Sequence, residues 1–498
     1  MSLLAARSLD SKNTLIDSWV IFAPAVILTT LVACFAPALL VVPIGLAAFA
    51  YFWRHKDKLV LFLLVYLPFE ELVLKILPDN LYAPVRYMWE GLLFAMIALM
   101  LFENAVLAKN WKKNGVDKFF LFFLAAWVLS AFVNSIPILS SLAHIKNLIR
   151  YVPIFYIIYN LKPSEEFLKK VLLIIISIGV LESLICIGQA VEGDIMVKIF
   201  RPREVVVGGA LIRNPDPQFG SYYTRFTGTF VRSNELGYYL AFVVCLIAAR
   251  YYKMGKKSSY LLALVPVLAA LVLSSSKISW ISTYIAAGVI IAKVNRRFLR
   301  AYVIIPLLLI IVLITGSAAL DTDDLIDDFN IISRFNYMFT SDYMDIVGSA
   351  GRLYAIIGVA PAVFAANPIL GVGPGSFMRI SAQMSEEEVY GIGDVLNLES
   401  QALKYVHDVG YVALFAQSGL IGLLAMILVF VTVYKKASAA LVKEGNQIIQ
   451  AFWLGAIGII IAQAILNLAS FDLMYRNQSL LIWTVCGLVM LFSDENKN

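Results

Sequence analysis

Charge is scarce in this sequence. Of its 498 residues, 15% are Asp, Glu, Lys or Arg, while 60% are hydrophobic. Soluble chains carry roughly 25% charged residues, so an ordinary water-soluble domain is excluded. Cysteine is rare as well. Cys34, Cys186, Cys245 and Cys486 all fall within apolar segments and read as small packing residues, which excludes a disulfide framework. Histidine occurs three times, as His55, His144 and His407. There is no P-loop, no HExxH and no Cys cluster with metal-ligand spacing, so neither a nucleotide cradle nor a metal or other cofactor is expected. The apolar stretch from Trp19 to Trp53 has no small-residue cleavage signature, and no cleavable signal peptide is expected. There is no internal repeat.

Long apolar runs are abundant. Mean hydropathy is +0.81, and runs of 17 or more apolar residues recur along the whole length. Such a run crosses a bilayer core of about 30 Å as a helix, and its continuity excludes the alternation of a barrel strand. The fold class expected is all-α: a polytopic membrane protein with about fourteen transmembrane helices. They are placed at 19–35, 37–53, 58–77, 84–104, 117–136, 140–160, 167–190, 229–250, 259–275, 278–293, 300–318, 408–434, 448–469 and 477–493. A single helix from Trp19 to Trp53 would be about 50 Å long, and Pro37 offers a break, so two spans are placed there.

Lys and Arg alternate between loops as the positive-inside rule requires. Arg54, Lys56 and Lys58; Lys109, Lys112 and Lys113; Lys162, Lys169 and Lys170; Arg250, Lys253, Lys256 and Lys257; Lys293, Arg296, Arg297 and Arg300; and Lys435, Lys436 and Lys443 mark one side. The loops near Pro37 and at 78–83, 137–139 and 470–475 carry none. Both termini are therefore expected in the cytoplasm, around an inner-membrane protein. Topology accounts for much of the net charge of +6, and no nucleic-acid partner is expected. The chain divides into residues 1–318, with helices 1–11 and a short periplasmic segment at 191–228; a large helical periplasmic loop at 319–407, between helices 11 and 12; and residues 408–498, with helices 12–14. In the large loop, twelve Asp and Glu residues stand against Arg334, Arg352, Arg379 and Lys404, mixed with aromatic residues that favour a folded cap.

His407 is the last residue of that loop, immediately before a long apolar helix, where a general base working near neutral pH is well placed. An interfacial histidine without a role is the alternative. Cationic side chains gather on the outer side against the topological bias. Arg225 and Arg232 flank the start of the eighth helix, Lys277 sits between two short helices, and Arg352 precedes an apolar stretch. Arg150 lies mid-helix, where an unpaired charge costs at least about 2.5 kcal/mol. A diphosphate held at the membrane surface explains such cations, because guanidinium meets phosphate oxygens with two hydrogen bonds. Pairing with the acidic loop or with lipid phosphates is the competing explanation. Gly371-Val372-Gly373-Pro374-Gly375 by itself reads as a turn, and the acidic runs Asp323-Asp324 and Glu386-Glu387-Glu388 read as solvated faces.

Four segments, in order, resemble the bacterial O-antigen ligase and O-antigen polymerase superfamily. They are Arg225-Phe226-Thr227-Gly228-Thr229-Phe230 with Ser233-Asn234-Glu235-Leu236; Ser276-Lys277; Asn367-Pro368-Ile369-Leu370-Gly371-Val372-Gly373-Pro374-Gly375-Ser376-Phe377 with Arg352 upstream; and His407 followed by Gly419-Leu420-Ile421-Gly422. The resemblance covers roughly residues 140–435. Lys277 replaces an arginine of the family pattern, Asp408 stands where Asn or Ser is usual, and Gln417 stands where an acid is common. The resemblance implies a metal-independent glycosyltransferase. Its partners would be an undecaprenyl-diphosphate-linked glycan donor, a lipid- or glycan-borne acceptor hydroxyl, and the lipid bilayer. By the same resemblance His407 and Arg352 are catalytic, and Arg225, Lys277, Arg232 and Arg150 bind substrate. A ligase for lipopolysaccharide or exopolysaccharide assembly is favoured over a repeat-unit polymerase. A non-enzymatic transporter of a lipid-linked sugar would instead distribute its charges through the depth of the helices.

Overall fold

The computed structural model describes residues 41–107, 114–162, 164–200, 202, 205–207, 210–213, 225–297, 299–300, 302, 352–375 and 408–495. Helices dominate: α1 (Val41–Arg54), α2 (Lys56–Ile76), α3 (Asp79–Leu107), α4 (Asp117–Val133), α5 (Ile138–Ile149), α6 (Val152–Tyr159), α7 (Glu165–Glu192), α8 (Asp194–Phe200), α9 (Ser233–Lys253), α10 (Ser258–Leu273), α11 (Lys277–Val294), α12 (Arg352–Ala366), α13 (Gly410–Lys443), α14 (Gln447–Leu466) and α15 (Arg476–Glu495). A two-stranded antiparallel hairpin, β1 (Val205–Val207) and β2 (Ala210–Arg213), departs from the all-α expectation.

Ten expected helices, from 58–77 to 477–493, coincide with α2, α3, α4, α7, α9, α10, α11, α13, α14 and α15, although α13 runs on to Lys443. The helix expected at 140–160 is instead two, α5 and α6, broken at Arg150-Tyr151. Pro153 has no N–H to offer the Ile149 carbonyl, and Arg150 Nε turns back to donate to the Asn147 carbonyl at 3.1 Å. The helix expected at 19–35 lies outside the described residues, as does nearly all of 300–318. Of the large loop only 352–375 is described, so His407 also lies outside them. Among the described residues, α7, α11, α13, α14 and Asp79–Asn104 of α3 are long and apolar enough to cross a membrane, and α1, α5, α10 and α12 are shorter apolar helices. This is a helical membrane protein, but these helices do not reach a count of fourteen spans.

The core is built around α9, whose residues from Ser233 to Leu246 are nearly all buried against α7, α10, α11, α14 and α15. Helices α14 and α15 are buried along most of their length. Large apolar side chains ring the outside instead: Phe132 is 82% exposed, Leu262 72% and Phe122 59%. A water-bathed monomer does not sustain such a belt, whereas hydrocarbon solvates it without cost.

One end of the bundle is tied by buried charge. There α2, α7, α10 and α14 finish and α3, α9, α11, α13 and α15 begin. Arg476 opens α15 and is 8% exposed. Its Nε and Nη2 donate to Glu90 Oε1 at 3.1 and 2.6 Å, Nη2 also donates to the Arg86 carbonyl at 2.7 Å, and Nη1 pairs with Glu70. Glu90 in turn takes Lys146 at 3.2 Å and Arg150 at 3.5 Å, and Arg86 pairs with Glu71 at 3.3 Å. Helices α2, α3 and α15 and the α5–α6 junction thus share one network. Removing one member leaves partners charged and dry, which costs about 3–5 kcal/mol. Arg476→Leu is expected to lower the thermal unfolding transition of the detergent-solubilised protein well below that of Arg476→Lys. Equal transitions for the two variants and the wild type would show that the network carries no stability.

Candidate active site

Of the residues flagged in sequence, Arg150, Arg225, Arg232, Lys277 and Arg352 lie at this same end, and His407 lies outside the described residues. Arg225–Arg232 is a loop held from behind by α7. Gln189 Oε1 accepts from the Thr227 and Gly228 N–H groups at 3.2 and 2.9 Å, and Gln189 Nε2 donates to the Gly228 carbonyl at 2.8 Å. Glu182 accepts from the Thr229 N–H at 2.9 Å, and its Oε1 lies 2.5 Å from the Thr229 hydroxyl. Gly228 has φ +61°, and a Cβ there would run into the Glu182 carboxylate. Phe226 and Phe230 are buried, which leaves the Arg225 side chain exposed at the loop's start. At its other end Arg232 Nη1 donates to the Tyr475 hydroxyl at 3.4 Å.

Arg352, the first residue of α12, pairs with Asp408 at 3.5 Å, with side chains 40% and 18% exposed. Asp408 also lies within electrostatic range of Arg232 and Tyr475, and Arg352 within range of Tyr238. Arg232, Arg352, Asp408 and Tyr475 therefore form one cluster. His407 precedes Asp408 in the chain and lies outside the described residues. Lys277 begins α11 in a turn whose Ser274, Ser276 and Ser279 face Gly237, five residues along α9 from Arg232. Arg150 is turned to Asn147 Oδ1 at 2.8 Å and to Glu90, and lines a polar cavity behind the cluster.

The glycine run is more than the turn expected. Gly419 breaks α13 with φ 63° and ψ −168°, and Asn367–Gly371 lies against the break. Val372 N donates to the Ala416 carbonyl at 2.8 Å, and Leu420 N donates to the Pro368 carbonyl at 2.9 Å. Ser130 Oγ takes the Gln417 carbonyl at 2.9 Å, and Asn134 Nδ2 takes that of Gly371 at 3.1 Å. An interrupted helix in a membrane leaves backbone groups that only protein can satisfy, and the run supplies that satisfaction. A Cβ on Gly419 would overlap the Ile369–Leu370 peptide. Beside the run, His144 is 1% exposed and packs on Gly375, with Nδ1 3.1 Å from the Ser140 carbonyl.

Residues 262–418 match a family model described as O-antigen ligase. That segment is similar to the O-antigen ligase family. No curated protein matches it. The matched segment runs from α10 to the break in α13 and includes Lys277, Arg352, His407 and the glycine run. Arg150, Arg225 and Arg232 precede it. Among the described residues, no three His, Cys, Asp or Glu side chains gather as a metal-ligand set.

Several residues that shape this site were passed over in the sequence: Tyr475, Tyr238, Gln189, Glu182 and Arg476. For Glu182 the signal was present, since a carboxylate inside an apolar run is a site by default. The tyrosines gave none, because aromatic residues are common throughout the chain.

Asp472, in the connection between α14 and α15, is fully buried, and Gln463 Nε2 donates to its Oδ1 at 2.8 Å. Burial pushes this carboxyl from its ordinary 3.8 up to about 8, against the Gln463 hydrogen bond, which favours ionisation. Between those two values the unfolded chain has released the proton and the folded chain still holds it. Stability therefore falls as pH rises across that window and stays reduced above it. The unfolding temperature of the wild type is expected to drop between pH 5 and pH 8 more steeply than that of Asp472→Asn. Parallel profiles would mean that the folded carboxyl is not held protonated.

Proposed function

We propose that this protein is a metal-independent glycosyltransferase of the bacterial inner membrane. It moves a glycan from an undecaprenyl-diphosphate carrier to an acceptor hydroxyl on the periplasmic side, as an O-antigen ligase does. The observation that carries the reading is the Arg352–Asp408 pair at the entrance to α13, clustered with Arg232, in a chain whose residues 262–418 match an O-antigen ligase model.

The acceptor oxygen attacks the anomeric carbon of the donor sugar, and the bond from that carbon to the diphosphate oxygen breaks. His407 takes the hydroxyl proton. Undecaprenyl diphosphate departs with its charge met by Arg352, Arg232, Arg225 and Lys277. Preorganised cations of this kind act where charge develops in the transition state. Asp408 orients Arg352 and stabilises the imidazolium that forms beside it.

The basic loops support the sidedness. Arg54, Lys58, Lys169, Lys253, Lys293 and Lys443 all lie at the end of the bundle opposite the Arg232–Arg352–Asp408 cluster. This arrangement favours cytoplasmic termini and a periplasmic site.

In cells lacking the gene, wild-type protein is expected to restore the surface glycan. His407→Ala at matched expression restores none, carrier-linked glycan accumulates, and turnover falls roughly 10²- to 10⁴-fold. Arg352→Ala behaves similarly, and Arg352→Lys retains part of the activity. Normal surface glycan with His407→Ala would discard the proposed base and return weight to a transporter of the lipid-linked sugar.

A further inference from the structure

Glu182 places a carboxyl inside the long apolar helix α7, with no exposed surface. Thr229, which it holds, is equally buried. Among the described residues no Lys or Arg acts on Glu182, and Thr229 is its polar neighbour. The titratable groups within its electrostatic range are Cys186, one turn along α7, and Tyr239 on α9; neither is a cation. An ionised carboxylate is very costly in such surroundings.

Counting donors leads to the same place. The Thr229 hydroxyl lies 2.5 Å from Glu182 Oε1 and 2.7 Å from the Pro68 carbonyl of α2. A hydroxyl has one proton to give, and a carbonyl can only accept. Were that proton given to Glu182, the Thr229 and Pro68 oxygens would face each other at 2.7 Å with no proton between them. Both contacts become hydrogen bonds when Glu182 Oε1 carries a proton and donates it to Thr229 Oγ1. The Thr229 proton is then free for the Pro68 carbonyl. Glu182 Oε2 meanwhile accepts from the Thr229 N–H at 2.9 Å.

Thr229 stands midway between Arg225 and Arg232, so this chain of protons fastens their loop to α7 on one side and α2 on the other. On α2 the residues just beyond Pro68 are Glu70 and Glu71, which pair with Arg476 and Arg86. Loop and ion network are thus held by the same turn of helix. We infer that Glu182 is a neutral carboxylic acid and a positioning residue. Its proton, relayed through Thr229 to Pro68, sets the loop that presents Arg225 and Arg232 to the departing diphosphate. The inference rests on the carrier-diphosphate reading above.

The test joins infrared spectroscopy of the full-length protein, in a detergent without ester or carboxyl groups, to a transfer assay. At pH 6, where an exposed glutamate is ionised, the wild type is expected to show a carboxylic-acid carbonyl stretch. Glu182→Gln removes that band, and Thr229→Val shifts it. Transfer is followed in membranes of cells lacking the gene, complemented at matched expression. Glu182→Gln is expected to retain most of it, since its amide donates to Thr229 Oγ1 and accepts from the Thr229 N–H. Glu182→Ala lowers transfer of order 10²-fold, as misplaced catalytic groups do. Where that variant does not fold, Thr229→Val keeps the volume, breaks the chain and costs about tenfold, the worth of one or two hydrogen bonds. An infrared spectrum unchanged in Glu182→Gln overturns the neutral acid and leaves the transfer reading standing. Wild-type transfer rates in Glu182→Ala and Thr229→Val overturn the positioning role. Absence of transfer by the wild type overturns the carrier reading, while the infrared band still decides the proton.

Discussion

Arg476 opens the last helix with a guanidinium that has no bulk water to turn to. Its neighbours answer it from three directions: Glu70 on α2, Glu90 on α3, and the Arg86 carbonyl. Several other charges at this end are placed in relation to that ion. Glu90 also holds Lys146 and Arg150 at the α5–α6 break, and the next residue, Tyr475, carries the hydroxyl that receives Arg232. Apolar surface drives little helix association inside lipid, because the tails are as apolar as leucine. Polar contacts and close packing decide the arrangement there, and this network joins helices that are distant in sequence.

Around this anchor the site is assembled from elements that cannot easily shift. The Arg225–Arg232 loop is irregular backbone, yet Gln189 and Glu182 on α7 satisfy it as fully as a helix would, and two buried phenylalanines pin it. The α13 break is treated in the same way by Asn367–Gly371, Ser130 and Asn134. Both devices put cations and the entry of α13 on rigid supports. A site that stabilises departing charge needs this, because donors already in place do not reorganise as the reaction proceeds.

The two kinds of polar surface at this end differ in charge. The cluster beside Asp408 is exposed and rich in guanidinium, suited to phosphate. The cavity behind it is lined by as many carboxylates as guanidinium groups.

Much of the architecture was legible from residue order. Runs such as 167–190 and 448–469 are apolar for long enough that only a helix can satisfy their backbone in lipid, and α7 and α14 lie there. The cations Arg232 and Arg352 stood out because positive charge opposite the basic loops calls for a reason. Residue order could not show the break at Arg150-Tyr151, the small β-hairpin, or the use of the glycine run to mend α13. Each depends on which backbone groups meet across tens or hundreds of residues. Nor could it show that Arg150 faces Glu90, or that Arg352 meets Asp408. Periodicity and hydropathy report the solvent a segment requires, whereas pairing between charges is decided by which helices pack together, and that is settled only when the chain has folded.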